Sequence, residues 1–437
     1  MYRFLSYFSL LLLSSFLLKA ESKKANVVLI MADDLGYYDL SCYGHPQIKT
    51  PVLDNMAKEG IRLTSYYSGN TVCTPSRMAL LTGAYPTRLG WTKGVLGYKI
   101  STKQGLSPQA VTIAELLKEK GYKTALTGKW HLGDLEKFLP YKQGFDQTYF
   151  IKKSNNQSRI LYRKDEVLEK PFKNRLLTEK FTDEAVRFIK ENKANPFFLY
   201  VPYTAPHFPV EPHPDWKGKS SFGAYGDVVE EMDSRIGDIF KTLKDEGIDD
   251  NTVVIFMSDN GPQGGEEAQA KPFRGMKWSA LEGGNRVPCI VRWPGRIPAG
   301  TESDEIIASI DILPTLSRIC GVEIKSQINN AQVVDGLDVW GTLSGEEGFK
   351  HPRQELLFWH GMNGFQAIRV GKWKLFLKSE GAALKNKSSD PVLFNLSEEK
   401  EELTNLSSKF PEKVIEMKKL AEKRLAEINK NIIPLGN

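Results

Sequence analysis

Three sets of residues in this sequence have types and spacings that could do chemistry. Two polar pairs, Asp33-Asp34 and Asp259-Asn260, each follow a short apolar run. Together they offer hard oxygen ligands of the kind that hold Ca²⁺ or Mg²⁺, and no Cys/His spacing suggests a zinc site. Cations form the second set: Lys129, His131 and His207, each following an apolar run. They suit an anionic substrate, which the formal net charge of +6 fits without demanding. The third is Cys73, which opens an apolar stretch through Met78, Leu80 and Leu81 that predicts a helix. A helix N-terminus presents free N–H groups and positive potential to an anion. Taken singly, each polar pair is an ordinary turn, each Lys or His an ordinary surface residue, and Cys73 an ordinary buried thiol. Their coincidence at particular points of the chain carries the argument.

The elements that must position them alternate. Residues 26–31 are an apolar run, as expected of a strand buried on both faces, and it ends at Asp33-Asp34. Thr50 and Pro51 open a helix, with Thr50 as its cap, and Gly60 stops it. Ser107-Pro108 opens another through Ile113, Ala114 and Leu117 to Gly121, and a strand over 123–127 runs into Gly128-Lys129-Trp130-His131. A helix over 178–192 leads into a strand over 196–201. A helix over 225–246 precedes a strand over 252–257 that runs into Asp259-Asn260. This alternation predicts an α/β fold, a large mainly parallel or mixed sheet sandwiched by helices. Ligands bind such sheets beyond the carboxyl ends of the strands. Asp33, Asp34, Lys129, His131, His207, Asp259 and Asn260 fall there. After about residue 345 short strands over 356–359, 367–370 and 373–377 and a charged helix over 409–431 predict a small C-terminal antiparallel sheet plus helix. The division is then a catalytic domain over 24–345 and an α+β subdomain over 346–437. Lys372-Trp373-Lys374 reads as a solvated strand.

Residues 1–20 read as a signal peptide, with Arg3 ahead of an apolar stretch over 8–18 and Ala20 before the cleavage point. That stretch is short for a membrane span. The expectation is a secreted or periplasmic protein with no stable membrane span after cleavage. Basic residues show no dense stripe interleaved with aromatics, which excludes nucleic acid as a partner. Four cysteines are too few for a disulfide scaffold. A Cys289–Cys320 bridge is permitted by the compartment, but spacing alone does not support it.

The segment Cys73-Thr74-Pro75-Ser76-Arg77-Met78-Ala79-Leu80-Leu81-Thr82-Gly83 matches every defining position of the sulfatase signature, C-x-P-S-R followed by x-x-x-L-T-G. Gly128-Lys129-Trp130-His131-Leu132-Gly133 matches that family's G-K-W-H-L-G element. Pro202-Tyr203-Thr204-Ala205-Pro206-His207 is similar to its second histidine site. Arg274-Gly275-Met276-Lys277 and Glu282-Gly283-Gly284-Asn285-Arg286-Val287-Pro288 resemble its R-G-x-K and E-G-G-x-R-V-P blocks. The likeness runs from about residue 25 to 410 and is nearest to lysosomal and bacterial arylsulfatases, whose fold is alkaline-phosphatase-like.

The resemblance implies formylglycine-dependent hydrolysis of sulfate esters. Cys73 would be oxidised by a formylglycine-generating enzyme that reads Cys-x-Pro-x-Arg. The hydrated aldehyde carries two hydroxyls on one carbon: one attacks sulfur, and loss of the other's proton reforms the aldehyde and expels sulfate. Asp33, Asp34, Asp259, Asn260 and the modified Cys73 would hold Ca²⁺, the family's usual ion, with Mg²⁺ as the alternative. Arg77 and Lys129 would hold the diol and the metal shell, and His131 would be the base. Lys277 and His207, with Lys129, would bind sulfate and protonate the departing oxygen. Around residues 141–156 the chain keeps Gly144-Phe145-Asp146 but gains Lys152, Lys153 and Asn155; Ser154 maps onto a substrate-contacting position. The substrate class implied is a sulfated carbohydrate or an aryl sulfate. Two alternatives are a phosphonate or phosphate-diester hydrolase on the same scaffold, and a non-catalytic sulfated-glycan binding protein.

Overall fold

The apolar runs assemble into one ten-stranded sheet, and the site residues leave it along a single edge. The computed structural model describes residues 23–264, 267–324, 332–378 and 391–437. The signal-peptide reading of residues 1–20 lies outside them. In chain order the strands are β1 (Asn26–Ala32), β2 (Ile61–Leu63), β3 (Lys123–Lys129), β4 (Gln147–Ile151), β5 (Leu161–Arg163), β6 (Glu166–Glu169), β7 (Phe197–Pro202), β8 (Thr252–Ser258), β9 (Cys289–Arg292) and β10 (Thr301–Ser303). Their spatial order is β10-β2-β9-β8-β1-β7-β3-β4-β5-β6. The five central strands, β8-β1-β7-β3-β4, are parallel, with antiparallel pairs on either side.

Every residue of β1 and of β8 is buried, as the unbroken apolar runs require of strands covered on both faces. Alternate side chains enter two separate cores. Val27, Leu29 and Met31 meet Met78 and Leu80 of α2 (Cys73–Thr82), Ile113 of α3 (Ile113–Glu119) and Leu313 of α6 (Ile312–Ile319). Val28, Ile30 and Ala32 meet Leu53 of α1 (Pro51–Lys58), Phe181 of α4 (Leu177–Asn192) and Ile236 of α5 (Gly223–Asp245). The expected α/β sandwich is therefore present.

The C-terminal sheet is antiparallel, in the order β11 (Glu355–His360), β12 (Gly364–Val370), β13 (Trp373–Phe376) and β14 (Val392–Asn395), with α7 (Pro411–Ile428) packed on it. Ile368, Leu375, Leu393 and Met417 join the core that contains α2. Among the described residues no helix is long and apolar enough to cross a membrane.

Some local expectations fail for identifiable reasons. Ser107-Pro108 does not open a helix. Those residues turn, with the Ala110 N–H on the Ser107 carbonyl at 2.9 Å, and α3 starts where Thr112 and Glu115 form a reciprocal capping box. The Thr50 hydroxyl does not cap α1, because it bonds Ser41 and Asp54 instead. The orphan N–H groups of Val52 and Leu53 go to the Asp233 carboxylate of α5, at 3.0 and 2.8 Å. Lys374 is fully buried rather than solvated. β14 was not anticipated as a strand, and all four cysteines are free, so the Cys289–Cys320 bridge is absent.

Candidate active site

Register brings the polar residues together. Ala32 of β1 lies opposite Ser258 of β8, so Asp33 and Asp259 leave the sheet side by side. Lys129 is the last residue of β3, and His207 lies in the segment that follows β7, the strand between β1 and β3. The strand ends are laced together. Asp33 N–H donates to the Ala205 carbonyl at 3.0 Å, Asp34 N–H to Asp259 Oδ1 at 3.1 Å, and Asp259 N–H to the Ala32 carbonyl at 3.1 Å. Asp34 and His131 have φ of 65° and 61°, a left-handed conformation that costs a non-glycine residue about 1 kcal/mol or more. Such strain marks places where the surroundings dictate geometry.

Above this edge sits the N-terminus of α2. Cys73 is its first residue, and Val72 before it is extended. The Cys73 thiol lies 3.5 Å from Asp33 Oδ1 and 3.9 Å from Asp34 Oδ1. One turn along the same face, Arg77 places two N–H groups on Asp259 Oδ2, at 3.1 and 2.8 Å, and a third on the Lys129 carbonyl at 3.0 Å. Gly83 ends the helix at φ 67°, a conformation glycine adopts without strain.

Cations and acids are matched one to one. Lys129 Nζ is 2.6 Å from Asp33, Lys277 Nζ is 2.7 Å from Asp34, and Arg77 holds Asp259. Burial opposes ionisation of Asp33, but Lys129, His207, Arg77 and Lys277 outweigh it and hold the carboxyl well below its usual range. Asp259 moves the other way, up to about 6, through burial and then the neighbouring Asp33 charge. Burial pushes the Cys73 thiol up to about 12. With three acids against three fixed cations, an anionic substrate entering alone would meet no net positive charge; a divalent cation changes that balance.

Two observations test whether a hard cation fits. The donor atoms of Asp33, Asp34, Cys73 and His207 all lie within 4.8 Å of one another. Asn260, whose Nδ2 donates to Asp34 Oδ1 at 2.7 Å, keeps a buried Oδ1 with no partner among the described residues. An unsatisfied buried carbonyl oxygen beside the Asp33 and Asp34 carboxylates suits a divalent cation. The residues fit the ion.

The two histidines have assignable tautomers. His131 Nε2 lies 3.2 Å from the Leu96 carbonyl, which can only accept, so Nε2 carries the proton. His131 Nδ1 is buried without a partner among the described residues. Burial first, then Lys129 and Arg77, hold the ring neutral. Its Nδ1 lone pair is thus unengaged. His207 Nδ1 donates to the Phe208 carbonyl at 2.6 Å, which leaves Nε2 facing Asp34 Oδ2 at 3.6 Å. Burial lowers this ring's pKa as well.

Of the residues expected from sequence, Asp33, Asp34, Cys73, Arg77, Lys129, Asp259, Asn260, His207 and Lys277 form one cluster. His131 joins it through Thr74, whose hydroxyl donates to the His131 carbonyl at 3.1 Å and accepts the Leu96 N–H at 3.0 Å. Ser154 is buried in a turn whose carbonyl takes the N–H groups of Gln157 and Ser158. The neighbouring Asn155 reaches the His207 carbonyl at 3.4 Å. Sequence reasoning missed Thr74 and Leu96 as the clasp on His131. It also missed a buried group of Tyr67, Glu282, Lys374 and Glu402 behind the Lys277 loop. Lys374, inside an otherwise apolar strand, was the available signal.

Comparison with known proteins agrees with this geometry. A family model described as Sulfatase matches residues 25–322, and one described as N-sulphoglucosamine sulphohydrolase, C-terminal, matches residues 277–430. The arylsulfatase of Hemicentrotus pulcherrimus is 37% identical over 398 residues, covering 85% of this chain and 70% of that protein. The N-acetylgalactosamine-6-O-sulfatase of Bacteroides thetaiotaomicron is 30% identical, covering 92% and 93%. The crystal structure of the PsFucS1 sulfatase from Pseudoalteromonas sp. superposes with a TM-score of 0.84 at 30% identity, covering 95% of this chain and 92% of that one.

Proposed function

We propose, from the premise that this chain belongs to the sulfatase family and is a hydrolase of sulfate esters, that it works through formylglycine at position 73 and a divalent cation, on sulfated carbohydrates. The observation that carries this reading is the Cys73 side chain at the start of α2, within 3.5 to 3.9 Å of the Asp33 and Asp34 carboxylates. Formylglycine, made from Cys73 by a formylglycine-generating enzyme, supplies a nucleophile that releases its sulfate without needing water to attack it. Ca²⁺, or Mg²⁺, held by Asp33, Asp34, Asp259 and Asn260, supplies Lewis acidity beside that nucleophile.

The chain's own residues do the rest. Lys129 and Lys277 supply fixed positive charge to the nonbridging sulfate oxygens. Arg77 keeps Asp259 and the Lys129 backbone in place. His131 Nδ1, with its lone pair free, takes the proton from the nucleophile side. His207, once protonated at Nε2, returns a proton to the leaving oxygen. Ser154 is assigned to the substrate-facing wall with Asn155. The same reading assigns residues 1–20 to a signal peptide and the product to a secreted or periplasmic location, with residues 24–345 catalytic and 346–437 a C-terminal subdomain.

Carbohydrate is favoured by the surroundings and by the named specificity of the Bacteroides relative. Phe208 stacks on His207 with ring centroids 4.6 Å apart and an interplanar angle of 18°, and is 44% exposed. Tyr98, 49% exposed, packs edge-on against Trp278, the residue after Lys277. Exposed rings beside a charged site suit the apolar face of a sugar. Phe208→Ala is expected to raise KM for a sulfated disaccharide by about tenfold, the loss of one aromatic contact, with kcat nearly unchanged. Steady-state kinetics on a defined 6-sulfated disaccharide checks this.

Mass spectrometry of the peptide around position 73, with sulfate release from a nitrophenyl sulfate and a matched phosphate diester, tests the function. Aldehyde in place of thiol and a large preference for the sulfate are expected; fully active enzyme with unmodified Cys73 would end the reading. Chelation should abolish turnover and lower the melting temperature. At free Ca²⁺ about 1,000 times Kd the ion stabilises the fold by about 4 kcal/mol. Differential scanning calorimetry with and without EDTA measures the loss.

A further inference from the structure

Lys374 lies in β13, far from Cys73 in sequence, yet it is fully buried among charges. Its Nζ is 2.8 Å from Glu282 and 2.9 Å from Glu402, and it stands over the Phe358 ring at 4.3 Å. All three groups are buried. Glu282 also accepts from the Tyr67 hydroxyl at 2.5 Å and Arg286 at 3.2 Å, and the Glu402 carboxylate takes the Glu282 N–H at 2.7 Å. Glu402 has φ 56°, another strained non-glycine position.

Glu282 begins a four-residue helical turn, Glu282–Asn285, that touches three of the segments carrying the active site. The Gly284 carbonyl accepts the Gly261 N–H at 3.0 Å, next to Asn260. Gly283 N–H donates to the Arg274 carbonyl at 2.8 Å, at the root of the Lys277 loop. The Asn285 carbonyl accepts the Ser68 N–H at 2.8 Å, on the segment that enters α2. Gly261 and Gly283 pack so closely that a Cβ on Gly261 would lie 1.9 Å from the Gly283 carbonyl, so the contact has no slack. From the other side, Arg274 donates to the carbonyls of Glu401 and Glu402.

We propose that Lys374 is a positioning residue: by bridging Glu282 and Glu402, the C-terminal sheet pins the Glu282–Asn285 turn, and through it holds Asn260 and Lys277 in register with Cys73. Without the lysine Glu282 keeps Arg286, but the buried Glu402 carboxylate against it loses its cation, and the turn must move to separate or hydrate the two. The role of Asn260 and Lys277 rests on the sulfatase reading; the pin itself does not.

The test uses the mature full chain with Lys374→Met. As a control, Arg353→Met breaks another buried pair that ties the C-terminal region to the rest of the chain, Arg353–Asp311. Per folded active site, Lys374→Met is expected to lose about 100-fold in kcat, the effect of a misplacement near 1 Å, with KM within about threefold of wild type. Its Ca²⁺ affinity by calorimetric titration should weaken about tenfold, one displaced ligand's worth. Lys374→Met/Glu402→Gln removes the unpaired charge and should recover about tenfold of the lost kcat. Arg353→Met should lower the melting temperature and leave both kcat and Ca²⁺ affinity alone. Folded Lys374→Met with wild-type kcat and Ca²⁺ affinity overturns the proposal, as does a loss matched by Arg353→Met. If Lys374→Met does not fold, Lys374→Gln, which keeps a donor at the position but no charge, carries the same expectations. Wild-type protein that binds Ca²⁺ but turns over no sulfate ester would sink the sulfatase reading while the Ca²⁺ arm still decides the pin.

Discussion

Cys73→Ser, expressed beside a formylglycine-generating enzyme, is expected to lose sustained sulfate-ester turnover by about 10⁴-fold or more, yet to release about one leaving group per chain. The serine hydroxyl would stand where the thiol stands, within reach of Asp33 and Asp34 and ahead of the N–H groups of α2. It can therefore accept sulfate. It has no second hydroxyl on the same carbon from which a proton could be removed to expel that sulfate, so the chain should stall in the sulfated form. The thiol offers no alternative route, since burial pushes it up to about 12 and a neutral thiol is a weak nucleophile. Cys73→Ala removes both functions and should show no burst. A burst assay with a nitrophenyl sulfate, with a mass increase of one sulfate on the position-73 peptide of Cys73→Ser alone, checks the pair. Multiple turnovers by the serine variant at the wild-type rate would mean that the second hydroxyl is dispensable, and the formylglycine assignment would fall.

Much of this site was legible because its residues lie at the ends of apolar runs. Asp33 ends one and Asp259 another, and in a parallel sheet two strand ends become neighbours whenever the strands pair, as β1 and β8 do. Cys73 and Arg77 were legible as a motif, and four residues of helix put both on one face. What stayed hidden depended on partners distant in sequence. Thr50 and Ser41 carry groups suited to local capping, but the donors of α1 went to Asp233, on a helix that only the fold brings alongside. Lys374 looked solvated because its own neighbours are Lys372 and Trp373, whereas its counter-charges come from Glu282 and Glu402. Ser154 is legible only as a position matched to a family pattern and Asn155 only as a departure from it, and no local rule ties Asn155 to the His207 carbonyl.

Arg77→Met should damage stability and turnover together. Arg77 is completely buried and places two N–H groups on one oxygen of Asp259, while Asp259's other oxygen accepts the Asp34 N–H. Methionine fills much of the volume but leaves Asp259 without its cation, in a place where burial and Asp33 already push that carboxyl up to about 6. Removing one partner of a buried pair costs about 3–5 kcal/mol, and urea denaturation of the calcium-free protein should read that loss directly. Turnover should fall by about 10³-fold, because the Asp259 carboxylate and the Lys129 backbone lose their common anchor. Arg77→Lys separates the two effects. It restores a positive charge for Asp259, and with it part of the stability. A single ammonium cannot reproduce the planar set of donors that spans the Asp259 carboxylate and the Lys129 carbonyl, so kcat should stay low. If Arg77→Lys instead recovered full turnover, charge alone would suffice at this position, and the geometric role of the guanidinium in aligning α2 with the strand ends would be wrong.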